Sequence, residues 1–324
     1  MEWGPLKPED AHALAGLWAA MADADGAGER HSVEDVREQL FHRRIDLAGS
    51  TLAARDGDRV AAFGHLPVRQ SAEGGVHVLR LWGGVHPAYR RRGFGRRIVG
   101  WAVGAAPALS ERAFPGVRTE IHLAADDRNP GAHALATSAG FAAVRRFALM
   151  ERGLEGGLPE PRTSVGVTIA TWTPELDEGA RHVRNESFRD HWGAVPHTRE
   201  SWAGHITGSR NFRPLSSFLA LAGGRVVGAL ITHASGDQAR IMIVGTLREW
   251  RGKGVASTLI AHALAAFARQ GYRNAGLNVD LDNPTGAVGV YERAGFMVTR
   301  SSTTYALPVR QRETRDEPPV AVHE

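Results

Sequence analysis

Thr246-Leu247-Arg248-Glu249-Trp250-Arg251-Gly252-Lys253-Gly254-Val255-Ala256 leads from an apolar segment into Leu259, Ile260, Ala263, Leu264 and Phe267 at helical spacing. The same passage stands 161 residues earlier as Val85-His86-Pro87-Ala88-Tyr89-Arg90-Arg91-Arg92-Gly93-Phe94-Gly95, followed by Ile98, Val99, Trp101 and Ala102. A second block recurs behind each copy, Asn129-Pro130-Gly131-Ala132 through Gly140-Phe141 and Asn283-Pro284-Thr285-Gly286-Ala287 through Gly295-Phe296, with Phe141 and Phe296 155 residues apart. Two blocks in one order at nearly one offset identify a tandem duplication.

Working outward, the first copy predicts strands over Arg59–Val68 and Val76–Val85 about a Ser71–Gly75 turn, a helix over Gly93–Ala106, a strand over Thr119–Ala124, a helix over Asn129–Ala139 and a strand over Ala142–Leu149. The second copy predicts strands over Ser217–Ala222, Arg225–His233 and Gln238–Thr246, a helix over Gly254–Gln270, a strand over Asn274–Val279, a helix over Pro284–Ala294 and a strand over Phe296–Ala306. A helix precedes the sheet in each half, at Pro8–Ala22 and Pro174–Phe188. The expected division is 1–152 for the first domain, 153–163 for a Gly/Pro/Glu-rich linker, 164–307 for the second domain and 308–324 for a flexible tail.

Composition limits the chemistry. The chain has 324 residues with 43% hydrophobic and 23% charged, the profile of a folded two-domain protein. It has no cysteine, which excludes disulfides, thiolate metal sites and a thiol nucleophile. The histidines show no metalloprotease spacing, so no metal is expected. A net charge of +4 is too small to argue for nucleic acid, and no apolar run reaches membrane-spanning length, so a cytoplasmic protein is expected.

The glycine–arginine loop has a physical use. Glycine lets the backbone approach a ligand closely, and the first turn of a helix offers unpaired N–H groups in a field that favours an anion. Arg90, Arg91 and Arg92, and Arg251 with Lys253, are expected to add charge-assisted donors. The loop reads as a diphosphate cradle. It lacks the Gly-Lys-Ser/Thr of a P-loop, and Ile98 and Ser257 stand near where a dinucleotide fingerprint needs its third glycine.

Val85-x-Pro87-x-x-Arg90-x-x-Gly93-x-Gly95 with Asn129, Ala132 and Gly140-Phe141 resembles the GCN5-related N-acetyltransferases. Arg251-x-x-Gly254-x-Ala256 with Asn283, Ala287, Tyr291 and Gly295-Phe296 resembles them more fully. The resemblance implies an α/β (α+β) fold of two tandem domains, each a mixed, mostly antiparallel, splayed sheet flanked by helices. It implies that acetyl-CoA is held by Val244, Thr246, Arg251, Gly252, Lys253, Gly254, Val255, Ala256 and Asn283. The corresponding residues in the first half are Val85, Arg90, Arg91, Arg92, Gly93, Phe94, Gly95 and Asn129. It places a proton donor for the departing thiolate at Tyr291, where the first half has Ala136 beside Thr137 and Ser138. Catalysis is therefore expected in the second half.

The proton acceptor is less defined, since the glutamate many family members carry on the strand before the loop is missing from Gln238–Thr246. Glu186, Asp190 and His191 are the candidates, in a segment that precedes Trp192-Gly193, Pro196 and Trp202. That segment is similar to one in tandem acetyltransferases of the mycothiol synthase type, which implies an amine acceptor in a cleft lined by Trp202, Arg210 and Arg213. The expected reaction is direct transfer of acetyl to a primary amine of a small molecule within a ternary complex, by a monomer or homodimer. A protein or peptide N-acetyltransferase and a non-catalytic acyl-CoA-binding regulator are the alternatives.

Overall fold

The computed structural model describes the whole chain except residues 27–30, 42–44, 69–71, 73–74, 162–165, 284–285 and 310–324. In chain order its elements are β1 (Glu2–Gly4), α1 (Ala11–Asp25), α2 (Val33–Leu40), α3 (Leu47–Ser50), β2 (Thr51–Asp56), β3 (Arg59–His65), β4 (Val76–Arg80), β5 (Trp82–Val85), α4 (Phe94–Ala113), β6 (Arg118–Asp126) and α5 (Pro130–Ser138). They continue with β7 (Ala142–Gly153), β8 (Thr168–Thr171), α6 (Asp177–Ser187), α7 (Arg199–Trp202), β9 (Phe218–Ala222), β10 (Arg225–Ser235), β11 (Gln238–Thr246), α8 (Val255–Arg269), β12 (Asn274–Asp280), α9 (Ala287–Arg293) and β13 (Met297–Val309).

These form two units, the first of which is not contiguous in sequence. The first comprises Met1–Val144 with Thr303–Glu324, the second Arg145–Ser302. The boundaries thus differ from the spans 1–152 and 164–307: Arg145–Gly153 of β7 belongs to the second unit and Thr303–Val309 of β13 to the first. The physical reason is strand pairing. Phe147–Gly153 pairs antiparallel with the whole of β12, burying Ala148 and Met150 in the second core. Tyr305, Leu307 and Val309 pack instead on the first unit's core around Leu79, Ile121 and Phe141. Pro308 and Val309, placed in the tail by sequence, are strand. Part of the 153–163 linker and all of 310–324 lie outside the described residues.

In the first unit β1, β2, β3 and β5 form an antiparallel set, and β4 pairs parallel with β6. The strand expected over Val76–Val85 is therefore two strands that change partners at Leu81. In the second unit the neighbours run β7, β12, β11, β10, β9, β8, with only β11 and β12 parallel. The helix expected to stop at Ala106 continues through Pro107 to Ala113. The helix expected over Pro284–Ala294 occupies Ala287–Arg293, opened by Gly286 at φ 70°, with residues 284 and 285 outside the description.

The exchanged strand is tied to its unit by charge. The Asp280 carboxylate, with no exposed side-chain surface, accepts from Arg145 Nε at 3.0 Å and Nη2 at 2.8 Å, and from the Asp282 N–H at 3.0 Å. Removing one member of such a pair strands the other charge. Asp280→Asn should lower the free energy of unfolding by about 3 kcal/mol, read by denaturant titration.

Candidate active site

The opening in the second sheet is created by one extra residue. β11 pairs with β10 as far as Thr246, but with β12 only from Gln238 to Ile241. Where that pairing ends, Ile231 opposes Ile243 and Thr232 opposes Ile241, so Met242 is a bulge. A bulge bends its strand and raises the local twist, and here it swings Ile243–Thr246 away from β12. Met242 is left 48% exposed at the root of the gap. The first unit parts at the equivalent place, for Leu81 stands 161 residues before Met242 and is the residue between β4 and β5.

Each freed strand runs through a single 3₁₀ turn, Pro87–Tyr89 or Arg248–Trp250, into the glycine–arginine loop. Gly93 at φ 84° and Gly254 at φ 79° begin α4 and α8, and neither helix start has a side-chain cap. The residue two before each is also left-handed, Gly252 at φ 74° and, in the first unit, Arg91 at φ 63°. α8 has no acidic residue in its first turn, so its opening N–H groups keep the positive end of the helix dipole. A diphosphate fits this cradle.

Two of the loop arginines are engaged within the protein. Arg90 Nε donates to the Val85 carbonyl at 3.2 Å, and its Nη atoms pair with Asp25 at 2.7 and 2.8 Å. Arg251 Nε donates to the Thr246 carbonyl at 3.3 Å and Nη2 to the Ser187 carbonyl at 3.2 Å. Both guanidinium groups brace the loop against the strand end. Arg91, Arg92 and Lys253 stay exposed, with Lys253 Nζ 4.6 Å from the centre of the Trp250 ring.

The other loop residues make these contacts within the protein. Phe94 packs on Trp3, and a Cβ on Gly95 would come within 2.9 Å of Leu135. Val255 is buried, Ala256 stands where the first copy has Gly95, and Val85 and Val244 hold register opposite Ala62 and Leu230. Asn129 caps α5 by accepting from the Ala132 N–H at 3.0 Å, and the Asn283 N–H donates to the Asp280 carbonyl at 3.3 Å.

Tyr291 and Ala136 are structural equivalents: the N–H groups of Phe296 and Phe141 donate to their carbonyls, each at 3.0 Å. The Tyr291 ring is half-buried and meets Phe296 edge-on at 6.3 Å. Its hydroxyl has no hydrogen-bond partner among the described residues, and burial pushes the phenol up to about 12. In the first unit Ala136 is fully buried, Thr137 donates to the His133 carbonyl and Ser138 to the Leu135 carbonyl, both at 3.0 Å. Those hydroxyls are spent on their own helix.

The three candidates for proton acceptor are not gathered. Glu186 is paired with Arg189 at 2.7 Å, Asp190 is exposed, and the His191 ring lies 5.2 Å from that of Phe188. No hydrogen bond joins any of their side chains to another. The loop that carries them is pinned by Asn185, whose amide accepts from the His197 N–H at 2.8 Å and donates to its carbonyl at 3.0 Å, a clamp unread in the sequence. Trp202 and Arg213, expected around the acceptor, are both engaged within the protein. Trp202 is core, donating to Asp177 at 2.8 Å, and Arg213 is held by Tyr272 and the Ala234 carbonyl.

Comparison with known proteins agrees with this geometry. The model of the acetyltransferase (GNAT) family matches residues 17–141 and again 178–296. A mycothiol acetyltransferase of Thermobispora bispora is 31% identical over 304 residues, covering 89% of this chain and 93% of that protein. One from Thermomonospora curvata is 32% identical over 298 residues, covering 89% and 91%. Among solved structures, a GCN5-related N-acetyltransferase from Sphaerobacter thermophilus superposes with a TM-score of 0.78 at 27% identity over 95% of this chain and 96% of that one. A tandem GNAT protein from the clavulanic acid biosynthesis pathway shares the fold, with a TM-score of 0.69 at 20% identity over 95% and 98%. With two matched regions over most of its length and an opened sheet above an uncapped helix start in each unit, the chain belongs to the GNAT family and is an acetyl-transferring acyltransferase.

Proposed function

We propose that the protein transfers an acetyl group from acetyl-CoA to a primary amine of a small molecule, by direct attack in a ternary complex in the second unit. The observation that carries this is the grouping of a freed strand edge, an uncapped helix start and a phenol without a partner in that unit, where the first unit has Ala136 in place of the phenol. The backbone N–H groups of Gly252–Ala256 would hold the coenzyme's diphosphate, and the edge of Ile243–Thr246 would receive its extended arm. When bound, acetyl-CoA supplies a thioester whose carbonyl carbon is open to attack. A bulge leaves its extra residue unpaired in the ladder, and a main-chain N–H beside Met242 would suit a developing oxyanion. Tyr291, neutral at working pH, can donate to the departing sulfur. With no cysteine in the chain, direct attack is favoured over a thiol-linked acyl-enzyme.

The relatives named mycothiol acetyltransferase support an acceptor amine of cysteinyl-glycoside type, polar and polyhydroxylated. The test is acetyl-CoA turnover against glucosamine, S-methylcysteine and S-methylcysteinyl-glucosamine, read by coenzyme thiol release and by the mass of the product. Acetylation of the cysteinyl amine supports the reading; turnover of peptides alone would replace it. Among the described residues no helix is long and apolar enough to cross a membrane.

A further inference from the structure

The second unit's sheet gathers a polar row at the root of its opening. Arg240 on β11 is in register with Gly276 on β12, and Gly276 with Glu151 on β7. Thr299 on β13 donates from Oγ1 to Glu151 Oε2 at 2.7 Å. Residues opposed across strands share a face. A Cβ on Gly276 would lie 3.6 Å from Glu151 Cγ and 3.9 Å from Arg240 Nη1, so the two long side chains lean over the glycine from either side. The next residue pair, Ile241 with Leu277, is the last before the strands part.

The faces can be assigned. Arg240 opposes His233, and Gly245 opposes Ala229; those β10 residues are four apart and share a face. On that face a Cβ at Gly245 would meet Ser187 and Val183 of α6, so the Glu151 row opens on the side of α6 and the loop after it. Arg152, next along β7, points the other way and donates to the Ala294 carbonyl at the end of α9. Glu151 and the helix bearing Tyr291 therefore lie on opposite faces of the sheet, with the gap between β11 and β12 beside them.

Acyl transfer needs that division, because the amine approaches the carbonyl from one side and the sulfur leaves on another. β11 has no carboxylate, and the row brings one from two strands away. We propose that Glu151 is the catalytic residue that takes the proton of the acceptor amine; the inference rests on the acetyltransferase reading above. The amine arrives as an ammonium and gives one proton to the Glu151 carboxylate. Its lone pair forms the C–N bond as the carbonyl π pair moves to oxygen. That pair returns as the C–S bond breaks; the thiolate takes a proton from Tyr291, which regains one from the new amide nitrogen, and Glu151 releases its proton to solvent.

The test is Glu151→Gln, which preserves shape and the bond from Thr299, assayed with whichever of the three amines above wild type acetylates best. Its kcat/KM at pH 7 should fall about a hundredfold and then climb roughly tenfold per pH unit as free amine accumulates. Its acetyl-CoA dissociation constant by calorimetry should match wild type. Glu151→Asp should keep the wild-type pH profile at a reduced rate, and it carries the test if the glutamine variant does not fold. A wild-type rate in Glu151→Gln, or a lowered rate with an unchanged profile, would overturn the assignment. Wild-type protein that binds acetyl-CoA and acetylates none of the amines would overturn it together with the acceptor class; wild type that fails to bind acetyl-CoA would identify the parent reading as the fault.

Discussion

Tyr291→Phe should reduce kcat about a thousandfold and leave the acetyl-CoA dissociation constant within twofold. The substitution removes one oxygen from a ring that keeps its edge-on contact with Phe296, so the fold and the cradle are undisturbed. What is lost is the donor to the departing sulfur. Burial holds the phenol at about 12, so it stays protonated across the working range and contributes no limb to the activity profile there. The same shift has a thermodynamic sign. With an unfolded value of about 10, the neutral ring's contribution to stability is complete below that pH and is lost as pH rises from there towards the folded value. Wild type should therefore lose stability across that alkaline interval where Tyr291→Phe does not, which thermal unfolding at a series of pH values would read. An unchanged kcat in the phenylalanine variant would remove Tyr291 from the chemistry.

Gly252→Asp should raise the acetyl-CoA dissociation constant about a hundredfold, measured by calorimetry. A carboxylate some 5 Å from one phosphate charge in a medium of effective dielectric near 20 is unfavourable by about 3 kcal/mol, which is that factor. Steric exclusion is not the cause, since a Cβ on Gly252 meets nothing within 4 Å. Nor does the backbone forbid a side chain: the first unit holds Arg91 in the same left-handed conformation at φ 63°. Gly252→Arg, copying the first half, supplies the opposite charge at the same place and should bind acetyl-CoA at least as tightly as wild type. Equal weakening by both variants would point to a loop that does not carry the diphosphate.

Much of the fold was legible because the duplication made each half a check on the other. The loops were readable because left-handed backbone selects glycine, and Gly93, Gly252 and Gly254 all adopt it. Other features left weaker traces. Met242 is one residue too many opposite β10, and nothing in Arg240-Ile241-Met242-Ile243 marks which residue is extra. A guanidinium that donates to a strand carbonyl carries the same letter as one that binds phosphate, so the internal bonds of Arg90 and Arg251 left no trace in the sequence. α2 had a readable start in the Ser32–Asp35 capping box that went unread. Glu151 was hidden for a topological reason: by sequence it ends the first copy, and only its pairing with β12 brings it beside Arg240 and Gly276.

The traded strand ends also set a timetable for synthesis. On the ribosome the first unit cannot finish its sheet when its own copy has been translated, because Thr303–Val309 emerges only after the second copy. The second unit, by contrast, has β7 in hand before its remaining strands appear. Nascent chains therefore expose an incomplete first unit until the second copy has been made, and a gene cut between the repeats yields one fragment missing its closing strand and another missing its opening one.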